Sequence, residues 1–112
     1  MTTQAFDLLE ETVSTLREKM APQARGEIRY LTLLTANAVA TAARELRMAG
    51  QLDALEHAVA ADGRAIRAGK HDRDAELYRQ LVHVAAIRAW IADPDNLDER
   101  ERTTFIDDTI YR

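Results

Sequence analysis

The sequence predicts an all-α protein, an antiparallel four-helix bundle with a short acidic helix at its C-terminal end. Apolar residues recur at steps of three and four in successive segments, Pro and Gly punctuate the chain between those segments, and no stretch alternates with period two among β-branched residues. At 112 residues the chain has the length of one domain, which can bury a core without a disulfide or a structural metal.

Thr3 is placed to cap the first helix, with Asp7 close to its positive N-terminus. Phe6, Leu9, Val13, Leu16 and Met20 then form one apolar seam, with Glu10, Glu11, Arg17 and Lys19 largely off it, so this helix is predicted over about residues 4–20. Pro22 cannot continue it and disfavours helical geometry at Ala21, and Gly26 loosens the connection. A second helix is established by about Glu27. From Tyr30 to Ala43 fourteen residues carry no charge, and a helix without a charged face predicts burial on most sides, as the central helix of the domain. Charge returns at Arg44, Glu45 and Arg47, and Gly50 is predicted to be its left-handed C-terminal cap.

Leu52, Leu55, Val59 and Ile66 predict a third helix over about 52–68, with Gly69 ending it. Gly63 inside that span costs about 0.5–1 kcal/mol relative to Ala. A fourth helix, about 73–92, spreads Leu77, Leu81, Val84, Ala85, Ile87 and Ile91 over a broad apolar arc, and Asp93-Pro94 stops it. Asn96-Leu97-Asp98-Glu99 has capping-box spacing and predicts a last helix of about 97–108. The bundle therefore spans 1–96 and the acidic helical tail 97–112.

Charge divides along the same boundary. Residues 1–92 hold twelve acids and twelve bases, so the formal charge of −4 resides entirely in 93–112. Asp93, Asp95, Asp98, Glu99, Glu101, Asp107 and Asp108 face Arg100, Arg102 and Arg112 there. No window concentrates Lys and Arg without interleaved acids, which argues against nucleic acid and against a membrane-surface helix. No run approaches the ~20 apolar residues needed to span a bilayer. The acid-containing first twenty residues do not resemble a signal peptide, and a cytoplasmic protein is the expectation. The absence of cysteine removes thiolate nucleophiles, disulfides, iron–sulfur clusters and cysteine zinc sites.

Catalytic sets are hard to assemble. The residues three before His57, His71 and His83 are Ala54, Ala68 and Gln80, so the Glu-x-x-His pairs of a bundle di-iron site do not occur, nor does His-Glu-x-x-His. The one serine, Ser14, has no nucleophile elbow, and the glycines at 26, 50, 63 and 69 are too scattered for a phosphate loop. No metal or cofactor is expected.

Asn37, at the middle of the uncharged run among Thr32, Thr35 and Thr41, is the most informative polar residue. A buried amide needs partners, so Asn37 is expected either to hydrogen-bond a facing helix or to line a small interhelical pocket. Tyr30, Arg44 and His83 are the candidate rim residues of that pocket. Trp90, Ile91, Phe105, Ile106, Ile110 and Tyr111 form a surplus of apolar positions near the C-terminal end and are the candidate interaction surface.

Leu16-Arg17-Glu18, Pro22, Gly26, Asn37-Ala38 eleven residues after that glycine, Arg44-Glu45-Leu46, Ile66-Arg67-Ala68-Gly69 and the Asp93-Pro94 stop occur in an order and spacing that resemble an uncharacterised bacterial family of small helical proteins, domain of unknown function 6285. The resemblance covers about residues 8–97. It implies a small helical domain encoded beside aminoglycoside-phosphotransferase-like kinases and acyl-CoA dehydrogenases, and so a kinase-like or dehydrogenase partner by association. Relatives often carry a basic residue four positions before the asparagine, where this chain has Leu33, so an anion-binding pair there is broken. The functional expectation is a non-catalytic interaction or accessory module for a metabolic enzyme, with possible self-association. The alternative is a small-molecule binder or accessory enzyme subunit with a pocket around Asn37.

Overall fold

A computed structural model describes residues 3–59 and 63–106. The chain is all-α, and no strand occurs among the described residues. Its helices are α1 (Thr3–Ser14), α2 (Gly26–Ala58), α3 (Gly63–Arg67), α4 (Ala75–Ala92) and α5 (Glu99–Phe105), with a π-helical segment at Thr15–Met20 and 3₁₀ turns at Ala21–Gln23 and Pro94–Asn96. The described residues group into two compact units, one running up to Arg47 and one from Met48 onward.

In the first unit α1 and α2 pair antiparallel. Arg47 lies over the Phe6 ring at 5.9 Å, Arg17 donates to Asn37, and Arg29 donates to the Ala21 carbonyl, so positions on α2 fall as those on α1 rise. The buried set is small in volume: Val13, Ala21, Ala36, Ala40 and Ala43. Alanines every three or four residues let the helices approach closely. Met20, expected on the α1 seam, is exposed, and Ala21 is buried instead. The cause is the π segment, where the Ala21 N–H reaches back to the Leu16 carbonyl; the wider turn takes up about one extra residue and rotates Met20 off the seam. Gly26, at φ +58°, supplies the left-handed backbone with which the chain enters α2.

The two helices expected at about 27–49 and 52–68 are largely one, the 33-residue α2. Gly50 is helical, not a left-handed cap, because apolar positions continue across it: Met48 is fully buried, and Leu52 and Leu55 are half-buried. Burial there outweighs a propensity penalty of about 1 kcal/mol. Gly63 opens the short α3. Gly69, at φ +82°, ends the segment as expected, in a Schellman arrangement with Gly69 N–H bonded to the Ile66 carbonyl and Lys70 N–H to Ala65.

The second unit is built around Met48, Leu77, Ala86, Ile87, Trp90, Leu97 and Ile106. Gln51 meets His83 and Glu56 pairs with Arg88, five residues further along each helix, so this part of α2 and α4 run in the same sense, unlike neighbours in the expected antiparallel bundle. α5 folds back antiparallel on α4: the Asn96 amide donates to the Ala89 carbonyl, and Phe105 lies against His83. Because Asn96 is occupied in closing α4, the capping box falls two residues later than expected, with Asp98 accepting from Glu101 N–H and Glu101 accepting from Asp98 N–H. Asp74 caps α4 by accepting from the Leu77 N–H at 3.0 Å.

Gly50→Ala should stabilise the chain by about 0.5–1 kcal/mol, since the glycine is helical and an added Cβ meets no atom within 4 Å. Gly69→Ala should destabilise it, because the backbone is left-handed and the Cβ would stand 3.1 Å from Asp72 Oδ2. Urea midpoints of the two variants read both signs. The Leu77 N–H and then His71 hold the Asp74 carboxyl below its ordinary value near 3.8. Its contribution is therefore present above that value and lost as pH falls through the lowered one. Asp74→Ala should unfold more easily than the parent near neutrality, with the two urea midpoints converging in acid.

Candidate interaction surface

The alanine stripe that seats α2 on α1 fixes what the opposite side of α2 presents. With Ala36, Ala40 and Ala43 inward, Leu31, Leu34 and Ala38 face outward, and Ile28 and Tyr30 stand on the two opposite flanks. Ile28 is 63% exposed, Tyr30 65%, Leu31 43% and Leu34 51%. The uncharged run is thus buried along one stripe only, not on most sides. In this unit the helix covering α2 is α1, and one helix covers one stripe.

The polar residues in the run do not break its apolar character. Thr32, Thr35 and Thr41 each turn the hydroxyl back onto their own helix, donating to the carbonyls of Ile28 (2.7 Å), Leu31 (2.8 Å) and Asn37 (3.0 Å). Asn37 is exposed, and its Oδ1 accepts from Arg17 Nη2 on the neighbouring helix at 2.9 Å. It therefore bonds a facing helix, as one expectation had it, but at the surface rather than within a core.

Tyr30, Asn37 and Arg44 recur at seven-residue spacing along one side of α2, and Arg44 donates to the Thr41 hydroxyl at 3.2 Å. His83 belongs to the second unit. Two surface hollows stand out among the described residues, and Asn37 does not line either of them. One, of about 390 Å³, lies along Leu8, Thr12, Leu16 and Met20. The other, about 460 Å³, has an apolar lining of Ile66, Leu77, Tyr78 and Leu81, with His71 and Asp74 at hydrogen-bonding distance from each other among its polar groups. No cluster of three or more metal-ligating side chains occurs among the described residues. No helix among them is long and apolar enough to cross a membrane.

The other candidate surface is largely interior. Trp90 and Ile106 are buried, and Ile91 and Phe105 are half-buried. Phe105 packs its ring on His83, with centroids 5.4 Å apart, and its carbonyl accepts the His83 Nε2–H at 3.1 Å. A carbonyl oxygen can only accept, so this bond requires the tautomer with the proton on Nε2. His83 is consequently a clamp that holds the end of α5. Ile110 and Tyr111 lie outside the described residues.

The outward face of α2 escaped the sequence pattern for a definable reason. A charge-free run reads as buried on all sides, whether its second side is covered within the chain or left bare. No family model matches the chain, and no curated protein or solved structure matches it significantly.

His83→Phe keeps an aromatic ring beside Phe105 but removes the N–H donor. Amide exchange over residues 103–106 should quicken about five- to tenfold, the equivalent of ~1 kcal/mol for one hydrogen bond. Asn37→Ala, at an exposed position, should leave the urea midpoint almost unchanged, within about 0.5 kcal/mol.

Proposed function

We propose that this chain is a non-catalytic protein-interaction module that docks through the outward side of the first half of α2. The observation that carries the reading is the placement of large apolar side chains. Among the described residues, eight such side chains are exposed, and Leu8, Met20, Ile28, Tyr30, Leu31 and Leu34, six of the eight, belong to the first unit. Four of those lie within seven residues of one helix, Leu31 and Leu34 at the centre of its outward side and Ile28 and Tyr30 on the two flanks, and the run from Tyr30 to Ala43 carries no charge. Contiguous apolar surface of this kind marks interaction sites. The family resemblance associates such modules with kinase-like and acyl-CoA dehydrogenase enzymes in a bacterial cytoplasmic setting, without saying which surface would meet them.

A photo-crosslinking side chain placed at Leu34 of the full chain, in living cells, should yield a discrete protein adduct. The same group at Arg79, exposed on α4, should not. Absence of any adduct from Ile28, Tyr30, Leu31 and Leu34 alike would remove the reading.

A further inference from the structure

We infer that the outward face of α2 seats a second copy of this chain, α2 against α2, an inference that rests on the interaction-module reading and names its partner. The first argument is an inversion of sizes. The first unit buries one valine and four alanines while Ile28, Tyr30, Leu31 and Leu34 stand outside. The core of this hairpin is small, and a second copy would add large side chains to it. Two such hairpins joined through their bare faces make a four-helix arrangement with the large side chains inside.

The second argument is periodicity. Glu27, Leu31, Leu34, Ala38, Thr41 and Glu45 follow one another at steps of four, three, four, three and four, the seam spacing of paired helices, with acids only at the two ends. Ala38 allows close approach. Thr41 and the neighbouring Thr35 have already satisfied their hydroxyl donors within the helix, so covering them strands no donor.

The third is neutrality. A two-fold interface puts a patch against itself, so any charge on it meets its own sign; the run from Tyr30 to Ala43 has none, and the seam's acids, Glu27 and Glu45, stand exposed at its two ends, where water screens them. The same neutrality gives a differently charged partner nothing to complement. Size agrees as well. The four large side chains expose on the order of 400–500 Å² per copy, and the alanines and threonine methyls between them bring the face toward the ~800 Å² per partner of a stable interface.

Sedimentation equilibrium of the full chain should give twice the monomer mass at micromolar concentration. Leu34→Glu should raise the dissociation constant by about 100-fold or more with unchanged far-UV helicity, since it places a charge at the centre of the seam. Leu81→Glu, on α4, should leave the dimer intact. The chain has no cysteine, so single replacements report cleanly. Leu31→Cys, Leu34→Cys and Ala38→Cys should include disulfide-linked dimers under mild oxidation, and Arg79→Cys should give none. This cysteine series keeps the seam apolar and decides the matter even where Leu34→Glu fails to fold. A wild-type chain that stays monomeric at about 100 µM overturns the inference, as does a dimer indifferent to Leu34→Glu with no cross-links along the seam. If the monomeric chain nonetheless forms a Leu34 adduct with a different protein, the second copy is excluded and the interaction module stands. If it forms neither, both are excluded.

Discussion

Between Arg47 and Gln51 the helix α2 passes from one compact unit to the other through a glycine, the non-proline residue least inclined to hold helical geometry. Burial on either side keeps it there. Met48, just before the glycine, is buried in the second unit, where Gln51 and Glu56, just after it, meet His83 and Arg88. Helical geometry at Gly50 therefore sets the spacing between that buried side chain and the pairs that α2 makes with α4.

The alanine stripe has a comparable reach. Small residues at 36, 40 and 43 set how closely α1 and α2 approach, and they leave little apolar volume inside the first unit. The large side chains of the same helix are displaced to its other side. A close-packed interior and a bare apolar exterior are two results of one periodic choice of residue size.

The helical class, the start of α2, the Gly69 turn and the Asp93-Pro94 stop were legible because local chemistry dictates each of them: periodicity, a missing N–H, a left-handed φ. Gly50 and Met20 were not, because tertiary burial in one case and a wide helical turn in the other overrode the local pattern. The candidate surface was only half visible. Absence of charge from Tyr30 to Ala43 marked the helix, but which side would stay bare depends on how many helices cover it. At the C-terminal end the sequence marks only an acidic helical tail. Asp93, Asp98 and Glu101 accept backbone N–H groups at turns and helix starts, so part of that charge organises the fold locally.

The π segment bears on how this chain would be compared with others. A wide turn holds one residue more than the α-helix around it, so after Leu16 the chain runs one position behind an unbroken helical register. A relative with a plain α-helix here would present its counterpart of the buried Ala21 one step earlier, where this chain has Met20 facing solvent. Matching the two by seam periodicity alone would set every later residue one place out, including the arginine that pairs with Phe6 and the glycine inside α2. A single-residue gap between Thr15 and Met20 restores the correspondence.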